Sequence, residues 1–307
     1  MISAAVAFAL LVAVAAAAVS QGAVVQEFGF QIKDVRTDGG YTLVFNSSSF
    51  DQAGGVPDPL TQDLIRLPRG AAVRPAFVDR RYYCDLKKLV DLVRSTHPNA
   101  PHFNALIDRT LLGRKVPPRN TKDVVAMCRF AHIGGGTVLV DARPYVPLPF
   151  PAHFEMFWAK PSRAAVGTFA IVGSADDTDP VVAQNPAIRD THPLLAVDLF
   201  DDPTPDGLYG YRISLPVGPI AGINISFAEV HATTTGLTLT KNVSKCVERR
   251  GGKCVRKKSR KASVFWFTRP SCPASGRLSF QAFYAYAKSP SQTKTIELPC
   301  PRFGRGL

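Results

Sequence analysis

Ten lysines and arginines fall within the 21 residues from Lys241 to Lys261, against a single acidic residue, Glu248. They are Lys241, Lys245, Arg249, Arg250, Lys253, Arg256, Lys257, Lys258, Arg260 and Lys261. Side chains of this type break no bonds by themselves; their chemistry is the attraction of anions. On an alternating two-stranded ribbon they would face outward on both sides and draw phosphate polymers, anionic glycans, anionic lipid or nucleic acid. Nucleic acid is the poorest of these partners, because the run holds no aromatic residue on which a base could stack. The plainer expectation is an exposed hairpin whose lysines and arginines keep it soluble and its edges unpaired. Across the chain the net charge is +13, yet residues 1–240 hold 21 basic and 22 acidic side chains. The basic excess therefore belongs to the last quarter of the sequence, and it calls for a local explanation.

Six cysteines, Cys84, Cys128, Cys246, Cys254, Cys272 and Cys300, are the next reactive set. Their number leaves many pairings open. Cys246 and Cys254 flank Val-Glu-Arg-Arg-Gly-Gly-Lys, a hairpin sequence. With Glu248 opposite Gly252 around Arg249-Arg250-Gly251, the two cysteines would stand directly across from each other, within disulfide reach. Cys84–Cys128 would then tie the ends of an intervening helical segment, and Cys272–Cys300 would join the last strands. No Cys-x-x-Cys pair and no histidine at ligand spacing favours zinc instead.

Other chemistry is thinly supplied. Asp198, Asp201, Asp202 and Asp206, and likewise Asp176, Asp177 and Asp179, could gather oxygens around calcium, but their spacing lacks the usual loop pattern and aspartate is a common turn residue. There is no Gly-x-Ser-x-Gly elbow, no His-Glu-x-x-His and no glycine-rich phosphate loop. Histidines 97, 102, 132, 153, 192 and 231 are scattered. No catalytic residue, metal ligand or cofactor is assigned, and the chain is expected not to be an enzyme. A secreted hydrolase with an unrecognised site is the alternative.

The elements that would carry these residues are mostly strands. Phe28, Phe30 and Ile32 alternate with polar neighbours, and Tyr41, Leu43 and Phe45 follow a turn. Residues 47–70 read as a polar loop. Leu86, Leu89, Val90 and Val93, then Phe103, Leu106, Ile107 and Leu111, recur at helical spacing, so 84–129 reads as a helical insertion. Beyond residue 130 short apolar runs predict strands throughout, and Gly134-Gly135-Gly136 predicts a bulge or a close backbone approach. Val264-Phe-Trp-Phe267 reads as a strand buried on both faces. The expected fold is mainly β: antiparallel sheets in a β-sandwich or jelly-roll-like arrangement.

The first 26 residues carry no charged side chain. Ile2 to Val19 is an Ala/Val/Leu run followed by small residues, which reads as an export signal over residues 1–22. A retained anchor is the other expectation, because the run is just long enough to span a bilayer. No second apolar run reaches that length, so no membrane span is expected once the leader is removed. The cysteines agree with an oxidising destination, secreted or at the cell envelope.

The stretches Phe267-Thr-Arg-Pro-Ser-Cys-Pro-Ala-Ser-Gly276, Phe280-Gln-Ala-Phe-Tyr284 and Leu298-Pro-Cys-Pro301, with Thr293, Thr295 and Gly218-Pro-Ile-Ala-Gly-Ile-Asn224, resemble a group of exported, uncharacterised actinobacterial proteins of β-sandwich type. The likeness runs over about residues 190–302. It implies export and a β fold; it implies no activity and transfers no functional residue. The expected role is a non-enzymatic envelope or extracellular protein, structural or binding. The specific alternative is a module that holds an anionic polymer or an anionic cell-surface component through the 241–261 hairpin.

Overall fold

A computed structural model describes residues 23–35, 41–69, 72–73, 83–85, 128–143, 145–161, 164–176, 178–185, 188, 193–215, 225–234, 239–264, 267–268 and 272–301. For 72–73, 239–245, 260–264 and 267–268 the description is of the backbone alone. The N-terminal apolar run and nearly all of the expected helical insertion, between Asp85 and Cys128, lie outside the described residues.

The described chain is mainly β. Its strands are β1 (Val24–Lys33), β2 (Thr42–Asp51), β3 (Leu60–Pro68), β4 (Ala72–Val73), β5 (His132–Asp141), β6 (Phe150–Ala159), β7 (Gly167–Ala175), β8 (Leu194–Asp201), β9 (Tyr209–Leu215), β10 (Ser226–Thr234), β11 (Leu239–Arg250), β12 (Lys253–Val264), β13 (Phe267–Thr268), β14 (Arg277–Tyr286) and β15 (Gln292–Pro299). One short helix, α1 (Pro180–Gln184), interrupts the run of strands after β7. Asp179 caps it by accepting from the amides of Val181 and Val182, and Pro180 stands where a missing N–H costs nothing.

Eleven strands form one antiparallel sheet in the order β1-β2-β10-β5-β6-β7-β8-β9-β3-β14-β15. The sheet curls until its ends meet. Gln292 Nε2 donates to the carbonyl of Val24 at 2.6 Å, and the Phe30 ring lies 4.6 Å from that of Phe280. The expected two stacked sheets are thus replaced by a single, nearly closed, barrel-like sheet. The reason is connectivity. β10 inserts between β2 and β5, and β3 between β9 and β14. Alternation fixes which face of a strand is apolar, but it does not choose the strand's neighbours.

Alternation does set the core. In β14, Leu278, Phe280, Ala282, Tyr284 and Tyr286 are buried, with half-buried residues between them. They join Phe30, Leu43, Ile65, Phe157, Trp158 and Leu199 in one apolar cluster inside the curled sheet. A smaller cluster of Val140, Val146, Phe150, Ala152, Ala175 and Val182 sits where α1 packs against β5 to β7. The three glycines after Ile133 act as the sequence predicts. The ladder shifts between His132 and Gly134, and a Cβ on Gly136 would stand 2.0 Å from the carbonyl oxygen of His231.

Residues 47–70 are not a polar loop. β2 continues to Asp51 and β3 begins at Leu60, leaving only a short connection. Ser49, Asp51, Asp58 and Asp63 are polar yet buried, so polarity in this stretch does not mark a solvent-facing loop.

Candidate functional site

Among the described residues β11 and β12 pair only with each other. Each strand is twelve residues long, and together they form a ribbon that shares no ladder with the eleven-stranded sheet. Its turn is Gly251-Gly252, flanked by the pair Arg250 and Lys253. Both glycines have positive φ, +57° and +78°, as a two-residue hairpin turn of the favoured twist requires. The register expected from the sequence is therefore corrected. It placed a three-residue loop at Arg249-Arg250-Gly251, using one glycine where the chain uses two.

This turn leaves Cys254 opposite Arg249 and Cys246 opposite Lys257. The cysteines are brought together by two irregularities. Between Cys246 and Glu248 the first strand carries an extra residue, Val247; between Cys254 and Arg256 the second carries an extra residue, Val255. The bond Cys246–Cys254 then spans Cα atoms 5.7 Å apart. Cys84–Cys128 and Cys272–Cys300 are bonded as well, at 5.1 and 5.7 Å. Cys84 and Cys128 are buried beside β6, and the Cys84 amide donates to the carbonyl of Trp158.

Of the ten cations of the arm, Arg249, Arg250, Lys253, Arg256, Lys257 and Lys258 are all exposed. Lys241, Lys245, Arg260 and Lys261 lie on the same ribbon, but their side chains are outside the description. Arg250 reaches Glu248 at 3.1 Å, with its own side chain 81% exposed, so little of its charge is neutralised there. Arg250 stands directly opposite Lys253, and Lys245 opposite Lys258. Like charges so placed weaken a ribbon.

Asp177 lies outside the described residues, and five of the other aspartates considered for calcium have separate duties. Asp198 accepts from the Thr168 hydroxyl at 2.5 Å, Asp202 binds Arg212 at 3.0 Å, and Asp206 accepts from Thr204 and the Leu208 amide. Those bonds hold the Asp206 carboxyl below its usual range, the Thr204 hydroxyl most of all. Asp176 likewise accepts from Thr178, and Asp179 caps α1. Among the described residues no three His, Cys, Asp or Glu side chains converge as a metal site. His132 Nε2 lies 2.6 Å from Glu155, and His231 Nδ1 lies 2.8 Å from Asn46 Oδ1. Each is a cross-strand pair.

A second constellation went unread in the sequence. Where the ends of the sheet meet, Tyr286 Oη donates to Gln26 Oε1 at 3.0 Å. Gln26 Nε2 donates to Ser47 Oγ at 2.7 Å, and Ser47 Oγ lies 3.4 Å from Tyr284 Oη. Asp63 stands opposite Tyr284 on β3. Burial pushes its carboxyl from 3.8 up to about 7, and its Oδ1 is buried without a hydrogen-bond partner. Desolvation also raises Tyr286 to about 12 and Tyr284 further. The one sequence signal was parity, since Asp63 shares the buried face of β3 with Ile65 and Leu67.

No protein-family model, no curated protein and no solved structure matches this chain.

Proposed function

We propose that this is an exported, non-enzymatic binding protein that attaches to an anionic polymer or an anionic cell-surface component through the β11–β12 arm. The observation that carries the reading is the placement of Arg250 opposite Lys253 and of Lys245 opposite Lys258. Charges needed only to keep an edge soluble could alternate in sign and stabilise the ribbon. Here like charges oppose each other, which costs stability, and the cost is recovered when an anion sits between them.

Three disulfides support a destination in an oxidising compartment. Among the described residues no helix is long and apolar enough to cross a membrane. Sequencing the N-terminus of exported material should place the mature start at residues 19–24, and a full-length membrane-bound product would count against the leader.

Retention on immobilised heparin tests the arm. Binding should weaken steeply between about 50 and 200 mM salt. Changing Arg249, Arg250, Lys257 and Lys258 to Ser should abolish it without altering the melting of the body. If the wild-type protein is not retained even at low salt, the cations serve only to keep the ribbon soluble.

A further inference from the structure

We propose that the tip of the arm docks on an anionic phospholipid bilayer, with Val247 and Val255 entering the boundary between headgroups and acyl chains. This rests on the anion-binding reading of the arm and names the partner it fits.

The argument begins with the two bulges. Val247 and Val255 are the extra residues of β11 and β12, and neither has a ladder partner. Both are large apolar side chains left 51% and 54% exposed. They are the only apolar side chains among residues 247–258 other than Cys254, and every cation described in that span is exposed around them. The Gly251-Gly252 turn and the Cys246–Cys254 bond fix this tip as one unit.

A soluble polyanion would be held by the arginines and lysines alone, and the valines would contribute nothing to it. A bilayer uses both. Basic residues near an anionic leaflet each strengthen attachment by about fivefold. Apolar side chains that pass below the headgroups add the gain of leaving water. Two exposed valines on the same tip as the exposed Arg249, Arg250, Lys253, Arg256, Lys257 and Lys258 match an anionic lipid surface and have no use on a polymer in solution.

The test uses the full protein with vesicles of about one-third phosphatidylglycerol in phosphatidylcholine, with immobilised heparin as the lipid-free polyanion. The double variant V247S/V255S should bind the vesicles about tenfold more weakly and heparin as well as the wild type does. The variant V255W should shift its emission to the blue on these vesicles and not on heparin. Circular dichroism and melting establish that each variant is folded. Retention on heparin with no vesicle binding would overturn the lipid assignment and leave the polyanion reading standing. So would vesicle binding that V247S/V255S does not weaken, or a tryptophan at 255 that stays in water. Failure to bind either surface would overturn both.

Discussion

The phenol of Tyr286 donates a 3.0 Å hydrogen bond to Oε1 of Gln26 across the line where the first strand of the sheet meets the last two. The residues are 260 positions apart in sequence, and both are buried. With Gln292 donating to the Val24 carbonyl and Ser47 beside Tyr284, the bond helps to hold shut a sheet that has no continuous ladder at this point. Tyr286→Phe keeps the ring and removes the donor. It should lower stability by about 1–2 kcal/mol, because a buried acceptor loses its partner. Urea unfolding measures this, and no change would mean that the seam is held by its apolar contacts alone.

Phe30 and Phe280 are those contacts. Their rings lie 4.6 Å apart, and both residues are buried in the main cluster. Phe280→Ala should cost about 3–5 kcal/mol through lost burial and a cavity that the surrounding strands cannot collapse to fill. A cost below about 1 kcal/mol in the same unfolding experiment would show that the two ends of the sheet do not pack as described.

Asp63 should make stability fall as pH rises. Its carboxyl is raised from 3.8 to about 7 by burial. Below the lower value both folded and unfolded chains hold the proton. Between the two values the unfolded chain has released it and the folded chain has not, so stability drops with pH, by at most about 1.4 kcal/mol per unit. Above about 7 both have released it, and the loss levels off. Asp63→Asn carries no charge at any pH. It should flatten this slope, unfolding at higher urea than the wild type at pH 8 and at nearly the same urea at pH 4. Parallel curves for the two proteins would show that Asp63 does not titrate in this window.

These residues also mark how far the sequence could be read. The strands were legible, because β14 alternates so regularly that its buried positions follow from Leu278 to Tyr286. Cys246–Cys254 was legible because the two cysteines flank one hairpin turn, eight residues apart; Cys84–Cys128 followed from bracketing the expected helical segment, and Cys272–Cys300 from being the pair that remained. The closed seam was not, since no local pattern joins Gln26 to Tyr286. Asp63 was hidden by its type: an aspartate between Gln62 and Leu64 reads as a loop residue until the strand's parity is known. The arm's charge was plain in the sequence. Its register was not, because two adjacent glycines permit either a two- or a three-residue loop, and only the bulges at Val247 and Val255 reconcile the shorter turn with the disulfide.

The arm should unfold separately from the body. β11 and β12 share no ladder with the eleven-stranded sheet, and Cys246–Cys254 closes a loop of only eight residues' separation. So short a loop constrains the unfolded chain by less than the ~3 kcal/mol of a 15-residue one, and the effect should stay local. In the variant C246S/C254S the main thermal transition should therefore move by no more than about 2 °C. Amide exchange at Val247 to Val255 should meanwhile quicken at least tenfold, since the bulged ladder near the turn has few other bonds to hold it. Changing Gly251 and Gly252 to Ala should have the same signature, because each alanine would be forced into a left-handed conformation costing about 1–2 kcal/mol. If either variant instead lowers the main transition substantially, the arm and the barrel-like sheet fold as one cooperative unit.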